Sequence, residues 1–307
     1  MSILSKTYFH DEASAFEHLE AVLWPEGPIC PHCGSVDKVY ALKGVRTKPS
    51  KKNPEGIERH GLKKCAACRK QFTVRVGTVF ESSHIPLTKW LQAVYLMTCS
   101  KKGISAHQLH RILEITYKAA WFMTHRIREA MRSGEPAPMG SAGGYVEVDE
   151  TFIGHDKSVK PVHTNRDSGQ ARSMVVDKLN VATLKPIIRA NMDREATLMT
   201  DEATHYRPIG RHFADHKRVH HSMGQYAKGE AHTNTIEGYF SIFKRGMKGV
   251  YQHCAKQHLH RYLAEFDFRY NHRSALGVED QQRSATALKG AVGKRLTYRR
   301  TNEFPAV

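Results

Sequence analysis

Two pairs of cysteines place the hardest constraint on how this chain folds: Cys30-Pro-His-Cys33 and Cys65-Ala-Ala-Cys68, with 31 residues between them. The opening residues, Met1 to Glu12, contain no apolar h-region of a secretory leader, so the chain is expected in the cytoplasm, where thiols stay reduced. There, double Cys-x-x-Cys spacing reads as one tetrahedral zinc site, because each short knuckle brings two thiolates to the same ion. His32 sits inside the first knuckle, but four cysteines already complete the site. A domain this small cannot hold itself by core burial alone, and zinc binding, about 10–16 kcal/mol in finger peptides, dominates its folding. Between the pairs, Thr47 to Gly56 is a basic, turn-rich insertion, and Gln71 to Phe80 alternates as the closing strands of a ribbon would. Cys99 and Cys254 are isolated and read as buried or inert.

Three acidic residues carry the second pattern: Asp149 in Glu147-Val-Asp-Glu-Thr-Phe-Ile-Gly154, Asp201 in Leu198-Met-Thr-Asp-Glu-Ala203, and Glu237 in His232-Thr-Asn-Thr-Ile-Glu-Gly-Tyr-Phe240. Val146 and Val148 alternate with Tyr145, Glu147 and Asp149, which predicts a strand with Asp149 near its exit. Glu147 shares the face of Asp149 and remains an alternative ligand, whereas Glu150 points the other way. Leu198 and Met199 lead into Asp201 as a short buried strand would. Glu237, Phe240 or Ser241, and Lys244 recur at helical spacing, with Thr233 or Asn234 as N-cap. Thirty-five residues separate Asp201 from Glu237, a spacing that suits a polynucleotidyl transferase. Cutting and joining a phosphodiester uses two hard cations about 3.5–4 Å apart, held by oxygen ligands. Without metal, converging carboxylates repel by roughly 4 kcal/mol per pair at about 4 Å, so the cluster makes sense around magnesium or manganese.

Charge points to the same partner. The chain carries 47 Lys and Arg against 30 Asp and Glu, a net +17 that suits a polyanion. No apolar stretch approaches the ~20 residues needed to span a bilayer, which excludes a transmembrane protein on sequence grounds. Of the 20 histidines, spacings such as His220-His221 and His258-x-His260 match no closed metal site.

Between the cysteines and the acids, Pro86 to Met97 predicts an amphipathic helix with Leu87, Trp90, Leu91, Val94 and Tyr95 on one face. Ser105 then caps a helix from Ala106 to Leu113, and a last helix runs from Tyr117 to Met131. Helix, turn, helix geometry suits a major groove, and Arg126 and Arg128 are the expected DNA contacts. Ser133 to Gly144 is too rich in Gly and Pro for regular structure and reads as a linker.

These motifs, with Leu263 to Asn271 (Leu-Ala-Glu-Phe-Asp-Phe-Arg-Tyr-Asn), resemble the zinc-ribbon insertion-sequence transposases of bacteria, ISXO-type, over roughly residues 10 to 300. The resemblance implies an α+β multidomain chain: a helix over 1–24, a zinc ribbon over 25–82, and a helix-turn-helix-like region over 83–132. A linker over 133–144, a ribonuclease-H-like DDE domain with a mixed sheet over 145–275 and a basic extension over 276–307 complete it. It implies a DNA transposase that binds the terminal inverted repeats of its own element and joins them to target double-stranded DNA, as a homo-oligomer on DNA in the bacterial nucleoid. Family members carry either Glu or Asn as third residue, and this chain offers both Glu237 and Asn234; the carboxylate is the stronger magnesium ligand. Lys244, with Arg245, would contact the phosphate beside the scissile bond.

One departure stands out. The segment from Gly154 to Gly169 has few apolar residues, and Pro161 removes a ladder donor, so residues 155–166 predict a short edge strand or none. The following strand is expected over Arg172 to Asp177. A missing second strand would favour a DNA-binding protein with a degenerate, inactive catalytic domain; a third alternative is a ribonuclease-H-like nuclease that cuts without joining.

Overall fold

The computed structural model describes residues 2–51, 53–134, 137–152, 159–165, 168–219, 227–228 and 231–297, and the chain divides into two units. The first takes in the chain to Ser100, Ile104–Met131 and the segment from Asp280; the second takes in Lys101–Gly103 and Arg132–Glu279. The C-terminal segment is therefore no mere extension, since it supplies a helix to the first unit. No helix among the described residues is long and apolar enough to cross a membrane.

In the first unit, Asp11 caps α1 (Glu12–Leu23), accepting from Ser14 N at 2.7 Å. A three-stranded antiparallel sheet follows, β1 (Val39–Ala41), β2 (Lys63–Cys65) and β3 (Gln71–Phe72). The closing strands expected through Phe80 stop at Phe72. Beyond it Arg75 donates to the carbonyls of Phe80 at 3.2 Å and Ser83 at 2.5 Å, curling the segment so that Val74, Val79 and Phe80 are buried without a ladder. Pro86 offers no cap to α2 (Leu87–Cys99), and the carboxylate of Glu12 takes that place, accepting from Leu87 N at 2.7 Å and Thr88 N at 3.2 Å. Leu87, Trp90, Leu91, Val94 and Met97 form its buried face, while Tyr95 is half-buried. Then come α3 (Ala106–Leu113), capped by Ser105, and α4 (Tyr117–Met131), both with the predicted limits. The last helix, here named α9 (Asp280–Lys289), buries Ala287 and Leu288 in this unit.

The second unit holds five strands: β4 (Tyr145–Phe152), β5 (Val159–Asn165), β6 (Gln170–Ser173), β7 (Thr197–Thr200) and β8 (Asp215–Arg218). Their order is β6-β5-β4-β7-β8, with β4, β5 and β6 antiparallel and β7 and β8 parallel to β4. Helices α5 (Val181–Asn191) and α6 (Tyr206–Gly210) cover one face, where Leu184, Ile188, Tyr206 and Ile209 pack with Val146, Val148 and Leu198. A small hairpin of β9 (Ala227–Lys228) and β10 (Ala231–His232) precedes α7 (Asn234–Gly246) and α8 (Leu259–Asn271), whose Ile236, Tyr239, Phe243, Leu263 and Phe266 form a second core with Ala171.

Three expectations are corrected here. The second strand forms, and it is interior: β5 pairs over seven positions with β4 and over four with β6. Pro161 lies opposite Glu150 where β6 has already ended, so it has one neighbouring strand and costs at most one ladder bond. Residues 155–158 and 166 of that segment, like His220 and His221, lie outside the described residues. The third strand is Gln170–Ser173, two residues earlier than read, and Met174 to Val176 follow it outside the sheet. The linker, finally, ends inside the second unit: Met139 is buried and bridges Met192, and a Cβ on Gly140 (φ +80°) would lie 2.5 Å from Ala196 Cβ.

The free edge of β6 is closed by side chains of α8. Asn271 Oδ1 accepts from Ala171 N at 2.7 Å and its Nδ2 donates to Ala171 O at 2.9 Å; Asp267 Oδ2 accepts from Ser173 N at 2.8 Å. Asp267 and Asn271 are two of the polar residues of the Leu263 to Asn271 motif, and they satisfy backbone groups that an open edge would expose.

Candidate active site

Two acids of the second unit lie side by side on neighbouring strands, and β4 runs on past Asp149 to Phe152. Asp149 lies on β4, and β7 ends one residue before Asp201. Parallel pairing places Glu147 opposite Met199, and continuing that register two residues sets Asp149 beside Asp201. Asp149 Oδ1 accepts from Glu150 N at 2.8 Å and Asp201 Oδ1 from Ala203 N at 3.0 Å, which fixes both carboxylates locally. Burial pushes the Asp149 carboxyl up to about 7, with the negative charges of Glu150, Asp201 and Glu237 adding to the rise against the Glu150 N–H bond. Asp201 is raised for the same leading reason, with Glu150 and Glu202 adding and His205 opposing.

On the first turn of α7, Asn234 and Glu237 are both exposed, and Thr233 Oγ1 donates to Glu237 Oε1 at 2.9 Å. Lys244 and Arg245 are exposed two turns along the same helix; Lys244 Nζ lies 5.8 Å from the Phe240 ring centroid and Arg245 Nε donates to Ser241 O at 3.0 Å.

Glu147 does something else. It is fully buried and accepts from Thr235 Oγ1 at 2.9 Å and Ile236 N at 3.0 Å, with His232 Nδ1 3.2 Å away. Thr233 makes no side-chain cap, so a carboxylate from β4 satisfies the N-terminus of α7 and complements its dipole. This bond sets where α7, and with it Glu237, meets the sheet. Glu147→Ala should destabilise the second unit by roughly 3 kcal/mol through orphaned buried donors. An unfolding free energy from urea titration within about 0.5 kcal/mol of wild type would contradict that role.

Sequence reasoning missed the contribution of Glu150. Its side chain lies on the opposite face of β4, where it accepts from the Tyr206 hydroxyl and has His205 Nε2 3.4 Å away. Its charge nevertheless raises both Asp149 and Asp201. The Asp149-Glu150 and Asp201-Glu202 doublets were the available signal.

Asp267 belongs to the same electrostatic account. Burial lifts it to about 6, opposed by hydrogen bonds from Ser173 and Tyr239. Asp149, Asp201 and Asp267 thus all hold protons more tightly in the folded state than in the unfolded chain. Their neutral forms favour the fold fully below about pH 4, and that contribution is lost as pH rises through the folded values. Without added divalent cations, the urea midpoint for proteolysis of the second unit should fall between about pH 4.5 and pH 7.5, with a smaller fall in Asp149→Asn. A midpoint that rises over this window would contradict the assignment.

In the ribbon, Sγ of Cys30 and Cys68 are 3.7 Å apart, as are those of Cys33 and Cys65, and all four lie within 4.8 Å of one another. Four thiolates at about 2.3 Å from a tetrahedral zinc would stand about 3.8 Å apart, so the cluster fits a structural zinc. Among the described residues no other group of three or more potential ligands is so close.

Arg126 and Arg128, expected on a wet DNA-binding face, are corrected. Both are buried: Arg126 donates to Glu81 O at 2.6 Å with its guanidinium 5.6 Å from the Trp90 and Phe122 centroids, and Arg128 donates to Thr124 Oγ1 at 3.1 Å. The aliphatic stems and flat heads of arginine allow that packing.

Comparison with known proteins follows this division. Residues 141–271 match the model of the ISXO2-like transposase domain, and residues 10–71 match that of the transposase zinc-ribbon domain. The chain is 24% identical over 294 residues to an uncharacterized protein in transposable element ISH50 of Halobacterium salinarum, covering 85% of this chain and 91% of that protein. Among solved structures, a chain of the simian T-cell lymphotropic virus intasome in complex with PP2A regulatory subunit B56 gamma aligns over 57% of this chain and 64% of its own length, at 13% identity and a TM-score of 0.28. A likeness that low carries no argument.

Proposed function

We propose that this chain, which matches a transposase zinc-ribbon domain over residues 10–71 and an ISXO2-like transposase domain over 141–271, is an insertion-sequence transposase that cuts and joins DNA at Asp149, Asp201 and Glu237. The carrying observation is the Asp149 carboxyl on β4, raised to about 7 by burial and by the charges of Glu150, Asp201 and Glu237 around it. Such like charge in one place suits a site built for cations. The strand order β6-β5-β4-β7-β8, antiparallel then parallel with helices on both faces, supports reading the second unit as ribonuclease-H-like.

Oxygen donors fit magnesium, and a pair of such ions sharing ligands suits phosphodiester chemistry. Magnesium, when bound there, supplies charge stabilisation for the attacking and leaving oxygens of an in-line displacement. The chain's own part is to fix the ligands: the Asp149 and Asp201 carboxylates are held by backbone N–H groups, and Glu147 anchors the helix that presents Glu237. Lys244, exposed on that helix, would meet a DNA phosphate beyond Glu237. The inactive-domain alternative loses its motive, because β5 forms in the interior of the sheet.

The test is incubation of the full chain with magnesium and duplexes bearing the element's terminal repeats. Cleavage at the 3′ ends followed by joining to a second duplex is expected; cutting without joining would identify a nuclease, and neither product would overturn the proposal. For the third acid, Glu237→Gln should lower cleavage at least about tenfold more than Asn234→Ala, since the carboxylate is the stronger ligand. The reverse order would transfer the role to Asn234.

A further inference from the structure

The burial of Arg126 and Arg128 leaves the question of what on the three-helix region could read DNA. Every residue of α4 from Met123 to Met131 is buried, so its accessible part is the first turn, with Tyr117 and Lys118 exposed and Thr116 just before it. Alongside lies the outer face of α3: Leu109 and Leu113 turn inward, while His107, Arg111 and Ile112 are exposed. Ile112 and Tyr117 are large apolar side chains 51% and 44% exposed, and the His107 and Tyr117 rings stack at 4.2 Å.

The turn between these helices is held from several sides. Glu114 takes a left-handed conformation (φ 50°, ψ 46°), the position that glycine often fills in such turns. His110 Nδ1 lies 3.0 Å from Ile115 O, Lys89 Nζ donates to Leu113 O at 2.6 Å, and Thr116 Oγ1 accepts from Ala119 N at 3.2 Å. Nothing in those bonds occupies the outward tips of Ile112 and Tyr117. Between Ile104 and Lys118, Glu114 is the only acid against Arg111 and Lys118, in a chain of net charge +17.

We infer that the first turn of α4 with the outer face of α3 is the base-reading surface of this protein, and that its partner is the major groove of the element's terminal repeat. The inference rests on the transposase reading. In helix-turn-helix docking the N-terminal residues of the second helix meet the base edges, and here that end is the accessible one. Ile112 and Tyr117 supply apolar contact of the kind that recognises a thymine methyl, while Arg111 and Lys118 flank them as phosphate or guanine contacts.

Fluorescence anisotropy of the full chain on a terminal-repeat duplex and on a scrambled duplex, at one salt concentration, tests this. Ile112→Ala and Tyr117→Ala should each lower the repeat-to-scrambled affinity ratio roughly 5- to 150-fold, leaving scrambled binding within about twofold. Lys118→Ala should instead weaken both duplexes and reduce the salt slope by about 0.9. Both apolar positions are exposed, so the fold should tolerate the changes, and unaltered circular dichroism and zinc content verify that. A ratio preserved in the Ile112→Ala, Tyr117→Ala double variant overturns the surface alone. No preference for the repeat in the wild type overturns the transposase reading and the surface with it.

Discussion

Asp149→Asn and Asp201→Asn should each reduce strand cleavage and joining by roughly a thousandfold or more while leaving terminal-repeat affinity near wild type. Metal-assisted displacement draws several kcal/mol of charge stabilisation from its cations, and each 1.36 kcal/mol is tenfold in rate. Asparagine keeps the shape of aspartate and the acceptor for the Glu150 N–H but removes a charge. Because Asp149 is raised to about 7 by burial and three neighbouring acids, removing its charge should also leave the magnesium-free fold as stable as wild type or more so at pH 7.5. That combination separates a ligand from a structural residue, whose loss would lower stability and activity together. Quantified cleavage products, repeat-duplex affinity and urea midpoints give the three readings. Cleavage within tenfold of wild type in either variant would remove that residue from the site.

Cys30→Ser or Cys65→Ser should release the metal and unfold the ribbon. The apolar centre of this small sheet is made of Cys30, Cys65 and Phe72, with Trp24, Val39, Cys68 and Val76 against it, so the ligands are themselves much of the core. Both substituted positions are almost fully inaccessible, at 1% and 0% exposure. Without zinc this part forfeits on the order of 10 kcal/mol that its few apolar contacts cannot replace. Trp24, whose ring meets Phe72 edge-on at 6.0 Å, provides a reporter, and its emission should shift red as protease sites open between residues 25 and 82. Metal analysis should fall from about one zinc per chain to near none. A variant that keeps stoichiometric zinc and resists protease would contradict a four-cysteine site.

What the sequence determined by itself was local. Short Cys-x-x-Cys knuckles, period-two alternation before Asp149 and the Ser105 cap act over a few residues, and the ribbon, β4 and α3 follow from them. The sequence also put Asp149 on a strand, Asp201 just after one and Glu237 near a helix start, and in the fold the charges of Asp201 and Glu237 act on Asp149. Tertiary structure decided the rest. Residues 159–165 look too polar for an interior strand, yet ladder bonds to β4 and β6 are backbone bonds that composition does not count. Arg126 and Arg128 look like a solvated stripe, yet both are buried: the Glu81 carbonyl and the Trp90 ring, from elsewhere in the chain, receive Arg126, and Arg128 donates to the Thr124 hydroxyl of its own helix. Glu147 and Glu150 flank Asp149 in one strand and differ only in which face they enter: one anchors α7, the other takes the Tyr206 hydroxyl. A pattern along the chain records which face a side chain takes, and only the packed fold supplies the partner it meets there.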